Sequence, residues 1–176
     1  SETAGSIRQP AAWCGVVGFK PTYGRVSRYG LIAMASSTDS PGPITKTVAD
    51  ARVLYEILAG FDPLDATTGH KEILNDKINL SKIKIGIPKE YFRDEAQSGV
   101  NNMVMEAAKV LEKLGAKLVE ISLFDPKYAI SVYTILQRSE VSSNLARFDG
   151  IRYGNGRESF GEEAKRRMML GTFTLS

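Results

Sequence analysis

A strand, a helix and a second strand follow one another with short joins between residues 83 and 121, and this succession restricts the fold more than any other feature of the chain. In "IKIGIPKEYF", Ile83, Ile85 and Ile87 alternate with Lys84 and Gly86, the two-residue period of a strand with one buried face. Pro88 has no N–H with which to continue the ladder. "VNNMVMEAAKVLEKLG" then spaces Val104, Ala107, Ala108, Leu111 and Leu114 at helical intervals and ends on Gly115. "AKLVEISL" is the second strand. The pattern predicts a βαβ unit with a right-handed crossover, its strands parallel and adjacent or nearly so in one sheet. That places the chain among α/β folds.

The flanks are helical or irregular. In "TKTVADARVLYEILAG", Thr47 and Asp50 have the spacing of a capping box. Val48, Ala51, Leu54, Tyr55 and Leu58 fall on one face, and Gly60 is placed to close the helix in the left-handed conformation. After Pro126 the pattern predicts a long helix with Ile130, Tyr133, Leu136 or Gln137, and Val141 on one stripe, and another helix from "GEEAKRRMMLGTFTLS". Residues 1–44 are rich in Gly, Ser, Thr and Pro and predict ordered loop and short strand; Trp13, Phe19, Tyr23 and Tyr29 are its expected anchors. The whole span, residues 1–176, reads as a single domain.

Composition narrows the chemistry. Apolar residues at 43% and charged residues at 24% suffice for a packed core. A net charge of +3 is too weak to argue for nucleic acid. One cysteine, Cys14, allows no intrachain disulfide and favours a reducing compartment. No apolar run approaches the ~20 residues that cross a bilayer. The one histidine, His70, sits among turn residues in "DATTGHKE" and reads as a solvated loop residue, which leaves no base for a Ser-His-Asp arrangement within the chain. One His and one Cys, far apart, are too few soft ligands for zinc.

The remaining candidate for chemistry is Ser6, in "ETAGSIR". A serine nucleophile needs a base, an oxyanion hole and a backbone that exposes its oxygen. Thr3, Ala4, Gly5 and Ser6 have small side chains, so their successive N–H groups can face one concavity. On these residues alone an ordinary serine in a turn is the better explanation.

The longer string "GSIRQPAAWCGVVGFKPTYGR" resembles the core signature of the amidase signature family, through Gly5, Ser6, Ile7, Arg8, Pro10, Ala11, Cys14, Gly15, Gly18, Lys20, Pro21, Gly24 and Arg25. "KPTYGRVSRYGLIAMASSTD", "GPITKTVADARVLYEILAGFDPLDAT", "SSNLARFDGIRYG" and "KRRMMLGTFTLS" are similar to the branch of that family that forms the glutaminase subunit of aspartyl/glutamyl-tRNA amidotransferases. The resemblance implies an α/β/α sandwich with a mixed central sheet, present only in part, with the family's longer chain extending beyond both ends. It implies a Ser–Ser–Lys triad with Ser6 as the acyl-ester nucleophile and the Lys and second Ser upstream, outside these residues. It makes the N–H groups of Thr3, Ala4, Gly5 and Ser6 the oxyanion hole. It further implies glutamine as substrate, a tRNA-amidating partner subunit that uses ATP and Mg, a small third subunit, contact with tRNA chiefly through the partner, no cofactor in this chain, no membrane, and a cytoplasmic or organellar setting.

Weaker assignments follow from the same resemblance. Tyr133 falls near a tyrosine of the glutamine pocket, with a core aromatic as the alternative. Arg167 fits the place of an arginine that holds the glutamine carboxylate; the alternative makes "EEAKRR" a solvated face or partner contact. Arg8 is expected to brace the loop through carbonyls, Cys14 to pack as a small buried side chain, and Asp149 and Arg152 to order a loop or a turn. Glu2-Thr3-Ala4-Gly5-Ser6 departs from the family's Asp-Thr-Gly-Gly-Ser, so Ala4 would be strained by ~1 kcal/mol if that position requires positive φ. Pro41 replaces an apolar residue, and the segment between Tyr153 and Phe160 is shorter than usual. Two other functions remain open at this point: a stand-alone amide hydrolase of the same family, and a non-catalytic scaffold.

Overall fold

The computed structural model describes residues 1–69, 78–92 and 98–176; His70 lies outside them. The chain divides into two compact units, one of Ser1–Ile73 with Tyr133–Ser176 and one of Leu74–Val132.

In the first unit a short helix, α1 (Arg8–Trp13), leads into β1 (Val17–Gly18), which pairs antiparallel with β2 (Ile44–Thr45). A Cβ on Gly18 would lie 2.7 Å from both the Ile7 carbonyl oxygen and the Ala11 side chain, so glycine alone lets β1 run this close to α1. Helix α2 (Val48–Leu58) starts where the capping signal places it. The Thr47 hydroxyl accepts the Asp50 N–H at 3.1 Å and donates to the Asp50 carboxylate at 2.7 Å. Of the expected apolar stripe, Ala51 is buried and Tyr55 packs edge-on against Phe19 at 5.3 Å, whereas Val48, Leu54 and Leu58 are exposed. Nor does Gly60 close the helix in the left-handed well. Ala59 is already extended, Gly60 has φ +150°, and its N–H is taken by the Arg25 carbonyl, so a cross-chain bond replaces the local cap.

Helix α4 (Ala129–Leu145) belongs to this unit from Tyr133 onward, with α5 (Glu162–Leu175). Gln137 and Val141 are buried and Tyr133 half-buried, while Leu136 and Ile130 are exposed; of the two residues left open for the stripe, Gln137 takes the inner place. Helix α5 crosses α4 at Gly171, where a Cβ would stand 1.9 Å from the Arg138 carbonyl oxygen and 2.7 Å from the Ser142 Cβ. The rest of this core is small: Ile7, Ala11, Val26, Ala35 and Ala51 are buried. Trp13, Tyr29 and Cys14 are exposed, contrary to the packing expected of them; Phe19 and Tyr23 are the aromatics that make contacts.

The second unit holds the βαβ element. β3 (Lys84–Pro88) pairs directly and in parallel with β4 (Lys117–Ile121), in register from Lys84–Lys117 to Pro88–Ile121, so Pro88 is the last paired residue. Helix α3 (Ser98–Lys113) stands between them in sequence. Gly115 takes φ +111° while the Ala116 N–H bonds the Leu111 carbonyl at 3.0 Å. Ala108 and Ala116 are buried, but Val104, Leu111 and Leu114 of the predicted inner face are exposed. Among the described residues the strands thus form two two-stranded ladders, one antiparallel and one parallel, and the fold is α/β. No helix among them is long and apolar enough to cross a membrane.

Substituting Gly171 by Ala forces the α4 backbone away from α5. The expected loss is about 1–3 kcal/mol, read as a lower midpoint in thermal or denaturant unfolding of the intact protein, while Gly99→Ala, inside α3 with open space at its Cβ, does not lower the midpoint.

Candidate active site

The chain enters this region through Glu2, whose backbone N–H and carbonyl both pair with Ser40 at 2.9 Å. Its side chain is fully buried and turns back under the following loop. One carboxylate oxygen accepts the N–H groups of Ile7 and Arg8, each at 3.1 Å, and the other accepts the Arg8 guanidinium, Nε at 2.8 Å and Nη2 closer still. Arg8 therefore braces the loop through a carboxylate and not through carbonyls. Burial alone raises the Glu2 carboxyl, but the Arg8 hydrogen bond, the two N–H donors and the Arg8 charge outweigh it and hold the group below the usual carboxylate range.

This brace sorts the amides of the loop. The N–H groups of residues 7 and 8 are taken by Glu2, whereas those of Thr3, Ala4, Gly5 and Ser6 bond no acceptor among the described residues. Gly5 supplies the unusual backbone angle, φ +149°. Ala4 is not at positive φ, so the strain expected of it is absent. The Gly5 carbonyl accepts the Gln9 N–H at 2.8 Å and starts α1. Ser6 is exposed just before that helix, and its hydroxyl has no hydrogen-bond partner among the described residues.

Asp39 ties this loop to the next. It is buried, with one oxygen accepting the Thr3 hydroxyl at 2.7 Å and the other accepting the N–H groups of Met34 and Ala35 at 2.8 and 3.0 Å. The segment from Met34 to Ser37 is also clamped onto α4. Asn144 donates to the Met34 carbonyl at 3.1 Å and accepts the Ser36 hydroxyl at 3.1 Å, and Glu140 accepts the Ser37 N–H at 3.0 Å.

The Met34 sulfur in turn accepts Arg167 Nη1 at 3.4 Å. Arg167 Nε is bound to Glu163 at 2.5 Å, one turn earlier on α5. Glu163 also receives Arg166 through Nε at 2.7 Å and Nη2 at 2.9 Å. The hydrogen bonds from Arg166 and then Arg167 bring the Glu163 carboxyl down to about 2. Arg167 and Glu163 line a cleft of about 260 Å³ whose other walls are Ile32, Ala33, Met34, Val141, Leu145 and Ala164. Arg167 is thus joined to the Thr3 end of the Ser6 loop by three successive contacts through Met34 and Asp39. Tyr133 is half-buried about two turns before Val141 on α4 and is not among the side chains of this cleft.

Asp149 orders a turn: its carboxylate accepts the N–H groups of Ile151 and Arg152 at 2.9 Å, and Arg152 pairs with it at 3.5 Å. Elsewhere in the unit Asp65 accepts the Thr67 hydroxyl at 2.6 Å, its N–H at 3.0 Å and the Arg28 N–H at 2.8 Å. The Thr67 hydroxyl bond, against the opposing effect of burial and with the Arg28 and Thr67 N–H donors, holds its carboxyl far below the usual range. Glu2, Asp39 and Glu163 are not legible in the sequence as site residues. The i,i+4 spacing of Glu163 and Arg167 is the one local signal that could reveal any of them.

A serine beside four N–H groups without acceptors is an arrangement that acyl transfer can use. The amidase family profile matches residues 1–176, and the chain belongs to that family. Over its whole length it is 52% identical to the A subunit of glutamyl-tRNA(Gln) amidotransferase from Persephonella marina and 52% identical to that from a Geobacillus species. It spans about 40% of those relatives' own length, and the alignments run over 195 positions against this chain's 176. The crystal structure of the A subunit of glutamyl-tRNA(Gln) amidotransferase from Thermotoga maritima superposes with a TM-score of 0.74 at 46% identity, over 98% of this chain and 37% of that one.

Glu2 and Asp65 give stability a definite pH dependence. Both carboxyls are depressed in the folded state, so between the folded and unfolded pKa values the unfolded chain binds more protons. Their contribution is complete above about pH 5 and is lost as pH falls through the folded values. Glu2→Gln places an amide NH₂ against donors and is expected to cost about 1–3 kcal/mol at pH 7. The expected result in denaturant titrations from pH 7 to pH 3 is that this difference shrinks as the wild-type carboxyl protonates.

Proposed function

We propose that these residues form the nucleophile-bearing part of a glutaminase, the ammonia-supplying subunit of a tRNA-dependent amidotransferase. The observation that carries the reading is the exposed Ser6 hydroxyl beside the uncommitted N–H groups of Thr3, Ala4, Gly5 and Ser6. The names borne by the relatives at 52% and 46% identity support the choice of this branch over a stand-alone amidase.

In this reading Ser6 Oγ attacks the side-chain amide carbon of glutamine. Its proton passes to a neutral lysine, relayed by a second serine, both contributed by the upstream part of the longer polypeptide. The carbonyl oxygen becomes an oxyanion that accepts from the N–H groups of residues 3–6. One such donor is worth roughly 2.7–4 kcal/mol of barrier in well-studied hydrolases. Collapse breaks the C–N bond, ammonia leaves with the returned proton, and water hydrolyses the glutamyl ester. Arg167 holds the substrate carboxylate, a task suited to a planar guanidinium. Tyr133 contributes to the wall of the glutamine pocket.

Ammonia then serves a partner subunit that uses ATP and Mg to activate Glu-tRNA(Gln) or Asp-tRNA(Asn), with a small third subunit completing a cytoplasmic or organellar assembly. No group of three or more His, Cys, Asp or Glu side chains gathers to hold a metal ion among the described residues.

Intact full-length protein mixed with glutamine and quenched in acid is expected to show a glutamyl adduct on the peptide containing Ser6, absent in Ser6→Ala. An adduct on another residue contradicts the assignment. The 176 residues by themselves are expected to release no ammonia from glutamine; turnover abolished by Ser6→Ala in that isolated segment would show that the base lies within it.

A further inference from the structure

Arg167 is held by its Nε edge. Glu163 takes that nitrogen at 2.5 Å, the Met34 sulfur takes Nη1 at 3.4 Å, and Nη2 bonds nothing among the described residues. A guanidinium fixed in this way keeps its terminal nitrogens free for a second acceptor, and a sulfur is a weak competitor for one of them. Glu163 is itself fixed from the other side by the two-point contact with Arg166. The cleft of about 260 Å³ at Arg167 is otherwise walled by apolar side chains such as Val141 and Leu145. Charge in the neighbourhood is unbalanced toward the positive. Burial first, and then the charges of Arg167 and Arg166, push the Arg138 guanidinium down, with Glu163 the carboxylate that opposes this.

The geometry points to Glu163 as a positioning residue that holds the terminal edge of Arg167 toward the substrate carboxylate which the glutaminase reading already assigns to that arginine. The inference rests on the glutaminase reading and deepens it. Glu163 acts through Arg167. It anchors a long side chain that otherwise samples several rotamers, and it lowers the cost of ordering that side chain when substrate arrives. Because Glu163 is shared between two arginines, a second carboxylate meets a net positive site.

The test is steady-state amide hydrolysis by the intact, full-length protein in its complex, with two substrates: glutamine, and 4-aminobutanamide, which lacks the α-carboxylate. Glu163→Ala is expected to raise KM for glutamine about 10-fold or more with kcat changed less than 3-fold, and to lower kcat/KM for 4-aminobutanamide less than 3-fold. Glu163→Gln, which keeps one acceptor and the helix, is expected to give a smaller rise. Equal losses on both substrates mean a merely structural role and overturn the inference. Selective loss of glutamine binding in Arg167→Ala but not in Glu163→Ala overturns it while leaving the glutaminase reading intact. No selective effect in Arg167→Ala removes the carboxylate site itself and the inference with it.

Discussion

The candidate site depends on one buried carboxylate that carries no chemistry. Asp39 accepts from Thr3 on one side and from Met34 and Ala35 on the other, and so joins the Ser6 loop to the segment that touches Arg167. The Ala35 N–H is buried and the Thr3 hydroxyl and Met34 N–H are partly so, and a buried donor left unpaired costs about 1–3 kcal/mol. Asp39 therefore fixes two loops in one arrangement more firmly than apolar contact alone could in a core built largely of alanine and valine side chains. Loops placed by such hubs can hold side chains in place without forming regular structure, as residues 2–7 and 34–39 do.

The same device recurs at smaller scale. Glu2 takes two amides and a guanidinium, while the four amides before them bond no acceptor among the described residues. Glu163 takes two guanidiniums and leaves the end of one of them available. Both carboxylates act by deciding which donors are already used. What is left unsatisfied is then the part of the surface that can bind a developing oxyanion or a substrate carboxylate.

Sequence signals hold where their physics is local. The Thr47–Asp50 cap forms at its expected place because both partners lie within one turn, and the βαβ element follows from two periodicities written in consecutive residues. Expectation and structure part where the outcome depends on distant chain. Gly60 is drawn off by the Arg25 carbonyl, and Val104, Leu111 and Leu58 are apolar yet uncovered, because a hydrophobic pattern says which residues can be buried and not what covers them. Ser6 is legible only through resemblance, since a serine beside a glycine is common. Asp39 is invisible for a related reason: its bond to Thr3 spans 36 residues, and no local spacing announces it. The exposure of Cys14 and Trp13 shows the same limit from the other direction.

The most direct test of this account removes Asp39 in the intact protein and follows both ends of the site together. Asp39→Ala, compared with wild type at matched folded fraction, should slow formation of the Ser6 acyl adduct and also weaken glutamine binding, because one carboxylate positions both. A variant that is less stable yet acylates and binds glutamine as wild type does would contradict the claim that this buried carboxylate organises the site.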